Sequence, residues 1–209
     1  MMRLTKVKVC GIRRPEDIEF ANILNCDYVG FVFAKSPRQV TKEQVKQLCR
    51  GLDSSVKKVG VFVNSSLEDV RITAHICGLD IVQLHGEEPP DYCEALEEEV
   101  EVWKAVRIKD SESLKTMENF SVKTFLLDSY SLKQYGGSGK VFDWKLALEA
   151  KKFGNIVLAG GLNPENVAEA IEIVKPMAVD VSSGVETGGY KDFNKMKRFI
   201  EKVRESNVN

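Results

Sequence analysis

The chain has 209 residues, 43% of them hydrophobic and 29% charged, and 30 Lys plus Arg against 31 Asp plus Glu leave a net charge of −1. This composition excludes a disordered chain, and the length admits one domain or at most two small ones. The even charge balance argues against nucleic acid or a membrane surface as a partner, and no apolar run nears the ~18 residues of a membrane span.

In chain order, β-branched runs alternate with amphipathic stretches. A strand over Lys6–Ile12 is followed by a helix opened by Pro15. A second strand over Asp27–Phe33 precedes a helix capped by Thr41, with Gln44 at capping-box spacing, running to about Arg50. The third strand, Val56–Asn64, leads to a helix capped by Ser66 and ended by Gly78. Strand four is Asp80–His85, with a helix over about Pro89–Glu99. Strand five is Val100–Ile108, with Ser111 as cap of a short helix. Strand six is Lys123–Asp128; a glycine-rich loop, Tyr135–Gly139, then leads to Asp143 as helix cap. Strand seven is Asn155–Ala159, with Asn163-Pro164 starting a helix to Val174. Strand eight is Ala178–Ser182, and Asp192 starts the last helix.

Strict strand–helix alternation implies parallel strands, and eight such units predict a single (β/α)8 barrel, an α/β TIM barrel spanning residues 1–209. The competing architecture, a doubly wound open sheet, lacks a dinucleotide fingerprint after the first strand. The five cysteines form no CxxC pair, which indicates neither a disulfide framework nor a zinc site and points to the reducing cytoplasm. The N-terminus is interrupted by charges and carries no signal-peptide core.

In such a barrel the chemistry sits at the C-terminal strand ends. That selects Cys10, the Lys35–Arg38 loop, Asn64, His85, Arg107, Asp128, Gly160–Gly161 and Ser182–Gly184. Strand parity turns Val7, Val9, Val82, Leu84, Val179 and Val181 toward the helices, and Lys8, Cys10, Gln83, His85, Asp180 and Ser182 inward. An inward lysine needs a partner, and the neighbouring strands one and eight offer Lys8 to Asp180. A cysteine at the Cys10 position more often packs than reacts. Asp128 gains nothing from packing at the end of an apolar strand. Trp103 and Trp144 read as packing residues and His75 as a surface residue. Two glycine-rich turns follow strands seven and eight, where this fold holds phosphate; Gly160, Gly161, Ser183 and Gly184 would offer backbone N–H groups.

KVCG, GFVFAKSPR, VGVFVN, VQLHGEE, LLDSY with YGGSGKVFDW, LAGGLNPENV and VDVSSGVE together resemble the phosphoribosylanthranilate isomerase family, in order from the first strand to the last helix. One departure is Gly188, where the family often has proline. The resemblance implies an Amadori rearrangement of N-(5′-phosphoribosyl)anthranilate in tryptophan biosynthesis, with neither cofactor nor metal. It implies Cys10 as general base, Asp128 as general acid, and Arg38, His85 and Asp180 as substrate-binding residues. The implied partner is the small-molecule substrate, and the implied assembly is a monomer or homodimer. Two other readings stand beside it: a Schiff-base lyase using Lys8, and a metabolite-binding barrel without activity.

Overall fold

The computed structural model describes residues 4–129 and 144–207. Eight parallel strands close into a ring: β1 (Lys6–Cys10), β2 (Tyr28–Val32), β3 (Lys57–Phe62), β4 (Ile81–Leu84), β5 (Glu101–Ile108), β6 (Thr124–Ser129), β7 (Asn155–Leu158) and β8 (Ala178–Val181). Each is followed by a helix: α1 (Pro15–Ile23), α2 (Lys42–Leu48), α3 (Leu67–Cys77), α4 (Pro90–Glu97), α5 (Ser111–Lys115), α6 (Trp144–Ala150), α7 (Val167–Val174) and α8 (Phe193–Ser206). The ring closes by pairing β1 with β8, with Lys8 opposite Asp180. The α/β TIM barrel is the architecture read from the alternation.

Alternating side chains build two cores. Val7, Val9, Val82, Leu84, Val179 and Val181 belong to the larger one between barrel and helices. Tyr28, Val59, Ile81, Trp103, Leu126, Val157 and Ala178 fill the barrel interior. Trp103 is a packing residue: it meets Tyr28 edge to face at 5.1 Å, and its indole N–H donates to Glu101 at 2.8 Å. Trp144 packs partly buried on the outer core, and His75 is exposed on α3.

Local signals placed several helices well. Thr41 and Gln44 form the capping box of α2; Ser66 caps α3, and Gly78, at φ +56°, ends it. Two starts differ. Asp110 rather than Ser111 caps α5, its carboxylate accepting from the Ser113 N–H at 3.1 Å. Asn163 does not start α7: its Oδ1 accepts from the N–H groups of Glu165 and Asn166 in a turn, and the helix begins at Val167. The expected strands also run past the observed ends, because Gly11 (φ +85°) and Asn64 (φ +52°) leave the extended region. The Tyr135–Gly139 loop and the Asp143 cap lie outside the described residues.

One element has no counterpart in the sequence reading. After a 3₁₀ turn at Ser183–Val185, a short hairpin of β9 (Glu186–Thr187) and β10 (Tyr190–Lys191) precedes α8. Arg13 and Arg14 stack on Tyr190 with guanidinium-to-ring distances of 4.4 and 4.6 Å, pinning the hairpin to the loop after β1. At the other end of the barrel, Asn207 accepts from the Thr5 N–H at 2.8 Å and donates to the Thr5 carbonyl at 3.0 Å.

Candidate active site

The C-terminal strand ends surround a cavity of about 500 Å³, lined among others by Cys10, Arg38, Gln83, His85, Asp128, Gly160, Gly161, Asp180 and Ser183. Strand alternation brings them there: β1 delivers Cys10, β4 Gln83 and, just past its end, His85, β6 Asp128, and β8 Asp180. Asn64, Arg107 and Gly184 do not line it. Asn64 instead organises two loops, its Oδ1 accepting from the Glu87 N–H at 2.7 Å.

At the foot of the cavity, Lys8 is fully buried and its Nζ is 3.0 Å from Asp180 Oδ1, the pairing expected from parity. Burial works against the charged amine, but Asp180 and Cys10 together outweigh it and hold the Lys8 pKa above its ordinary value. Cys10 lies directly above. Burial pushes its thiol up, and Lys8 and Lys191 oppose that push without cancelling it. Gly30 makes the arrangement possible: a Cβ there would come within 2.8 Å of Cys10 Sγ and 3.2 Å of Lys8 Nζ.

Arg38 enters from the loop after β2. Its Nε and Nη2 donate to the two carboxylate oxygens of Glu186 at 2.8 and 2.7 Å. Glu186 also receives Lys191 Nζ at 2.7 Å. Burial alone would raise the Glu186 carboxyl, but Arg38 and Lys191 hold it below the usual range. One edge of the arginine fork is thus taken by the protein's own carboxylate, and Nη1 is left for a ligand. Gly11 matters here too, since a Cβ on it would lie 2.5 Å from Arg38 Cδ.

Across the cavity, His85 Nε2 lies 3.2 Å from Asp128 Oδ2, and Gln83 Nε2 lies 2.8 Å from His85 Nδ1. Behind His85 is a buried ion pair that sequence reading missed. Lys104 Nζ is 2.7 Å from Glu88 Oε2 and donates to the Gly86 carbonyl at 2.9 Å. Glu88 also accepts from the N–H groups of Asn64 and Gly86. A lysine on the helix-facing side of β5, between Val102 and Val106, was the available signal: a charge at a buried position requires a partner.

The two glycine loops meet. Gly160 and Gly161 adopt φ of +82° and +72°, and a Cβ on Gly184 would lie 2.0 Å from the Leu162 carbonyl oxygen. Gly184→Ala must therefore spread the loops, an overpacking expected to cost roughly 1–3 kcal/mol. Thermal denaturation checks this; we expect a lower Tm.

A thiol, an imidazole-linked carboxylate and a carboxylate-bound arginine stand around one mouth of a (β/α)8 barrel, the end at which enzymes of this fold carry their chemistry. The family model described as N-(5′-phosphoribosyl)anthranilate (PRA) isomerase matches residues 7–202. The chain is 54% identical over 201 residues to the N-(5′-phosphoribosyl)anthranilate isomerase of Thermoanaerobacter pseudethanolicus, covering 96% of this chain and 98% of that one. Monomers of the dimeric phosphoribosylanthranilate isomerase of Thermotoga maritima superpose with a TM-score of 0.87 at 40% identity, over 97% of this chain and 100% of theirs. A phosphoribosyl anthranilate isomerase in complex with reduced 1-(o-carboxyphenylamino)-1-deoxyribulose 5-phosphate gives 0.85 at 40% identity, with the same coverage. This chain belongs to the N-(5′-phosphoribosyl)anthranilate isomerase family.

Among the described residues no group of three His, Cys, Asp or Glu side chains could hold a metal ion, and no helix is long and apolar enough to cross a membrane.

Proposed function

We propose that the chain isomerises N-(5′-phosphoribosyl)anthranilate to 1-(2-carboxyphenylamino)-1-deoxyribulose 5-phosphate, a step of tryptophan biosynthesis. Asp128 donates its proton to the furanose oxygen as the C1′–O bond breaks, and the anilino nitrogen lone pair forms the C1′ Schiff base. Cys10, as thiolate, removes the C2′ proton, and those electrons move toward nitrogen to give an enolamine. Tautomerisation places the ketone at C2′ and a proton on C1′. C1′ is reduced as C2′ is oxidised, so the electrons balance within the substrate.

The observation that carries this reading is the placement of Cys10 and Asp128. They stand on β1 and β6, with β7 and β8 between them, and face one cavity. Two groups that flank a sugar suit one acid and one base. The N–H groups of Gly160, Gly161, Ser183 and Gly184 take the phosphate, the free Nη1 of Arg38 meets the anthranilate carboxylate, and His85 and Asp180 border the ribose. The test follows the anthranilate fluorescence of the substrate when enzyme is added. Loss of that signal supports the assignment, and a constant signal at high enzyme concentration sinks it.

The Schiff-base alternative is disfavoured by the place of Lys8: it is fully buried, ion-paired to Asp180 and not among the residues lining the cavity. Borohydride should leave no adduct with a keto substrate. Arg38→Ala is expected to raise KM more than it lowers kcat, because the carboxylate contact persists from substrate to transition state. Steady-state kinetics separates the two constants. Five free cysteines support a cytoplasmic setting, and the Thermotoga relative supports a monomer or homodimer.

A further inference from the structure

Glu186 does not line the cavity, yet it holds the head of a side chain that does. It stands on β9 directly opposite Lys191 of β10, so the two side chains share a face of the hairpin, and Lys191 Nζ meets Glu186 Oε1 at 2.7 Å. Lys191 Nζ is itself anchored by the Ser182 carbonyl at 3.1 Å. The turn between the strands is Gly188-Gly189, at φ of +58° and +79°, which joins them in two residues and keeps Glu186 and Lys191 in register. The same hairpin reaches the backbone of the Arg38 loop. Arg13 donates from Nη1 to the Pro37 carbonyl at 2.8 Å and from Nη2 to the Gly189 carbonyl, while it stacks on Tyr190. Arg38 is therefore fixed at its head by Glu186 and at its root through Arg13. Its side chain is 25% exposed, against 7% for Glu186 and 1% for Lys191, so the outer member of the row is the one a ligand meets.

We propose that Glu186 is a positioning residue: it aims the remaining edge of the Arg38 fork, Nη1 and the outer N–H of Nη2, and so selects an anilino group that bears an ortho carboxylate. The proposal rests on the reading of Arg38 as the partner of the anthranilate carboxylate. A loose arginine would lose side-chain freedom at each binding event; a held one has lost it during folding. Lys191 completes the arrangement. Arg38 and Glu186 alone would be neutral, and the lysine restores one net positive charge to the group.

Two ligands test it: reduced 1-(o-carboxyphenylamino)-1-deoxyribulose 5-phosphate, and the same molecule built on aniline, which lacks the carboxylate. Fluorescence titration gives a Kd for each, and their ratio measures the selectivity for the carboxylate. Glu186→Gln removes a negative charge, so charge alone would tighten binding of the carboxylated ligand, whereas loss of aim weakens it. We expect the ratio to fall about three- to tenfold, with the aniline ligand binding as before. Glu186→Asp keeps the charge that buried Lys191 needs for folding but is one methylene too short to hold both nitrogens, and the ratio should fall there too. A ratio at or above the wild-type value in either variant overturns the proposal. That includes an equal weakening of both ligands, which would make Glu186 a general support of the loops. Arg38→Ala should bring the ratio to its floor, and Glu186→Gln added to it should lower the ratio no further; a further fall overturns the proposal. If Arg38→Ala leaves the ratio intact, the arginine does not meet the carboxylate, and both readings fall together.

Discussion

Asp128→Asn and Cys10→Ala should each lower kcat by about 10²–10⁴-fold while substrate still binds. Asparagine keeps the shape of the acid but has no transferable proton, so ring opening stalls. Alanine keeps the space of the thiol but leaves no base for the C2′ proton. In D₂O, deuterium should enter the product from solvent only where Cys10 is intact. Since burial raises the Cys10 thiol, the thiolate fraction in the free enzyme grows with pH, and kcat/KM should climb on the alkaline side of neutrality. A Cys10→Ala enzyme with near-normal kcat would remove the thiol from the mechanism.

Lys104→Met should destabilise the fold by about 3–5 kcal/mol, because it strips the partner from a buried carboxylate. Glu88 and Lys104 have side chains only 2% and 5% exposed, so water cannot replace the lost contact. Pairing the change with Glu88→Leu should recover much of that loss, since an apolar pair leaves no orphaned charge. The recovery is partial, because Glu88 also holds the N–H groups of Asn64 and Gly86. Urea denaturation of both variants measures the difference. A single variant as stable as wild type would show that the ion pair contributes nothing there.

These two predictions differ in how far their residues were legible beforehand. Cys10, His85 and Asp180 fall at strand ends where the period-two alternation turns each into the barrel, whereas Asp128 stood out only as a carboxylate closing an apolar strand; Lys8–Asp180 followed from the adjacency of the first and last strands. Arg38 was visible as a loop cation, but its tie to Glu186 joins residues 148 apart in sequence across two loops, and no periodic pattern reports that. The β9–β10 hairpin escaped for a related reason: two-residue strands are too short for alternation to show. Asn163 illustrates a local ambiguity, since asparagine before proline caps helices and holds turns with the same side-chain oxygen.

The closure of the ring has a consequence for the order of assembly. Lys8 and Asp180 are separated by 172 residues, as are Ser182 Oγ and the Cys10 carbonyl it donates to at 3.0 Å. On the ribosome, β1 has only β2 to pair with until the eighth strand has left the exit tunnel. Until then Lys8 must stay hydrated, and burying it early would isolate a charge. The seam is therefore the last joint to set, and the thiol environment matures with it. A chain stalled before β8 has most of its strands but an open ring, with Lys8 still lacking Asp180.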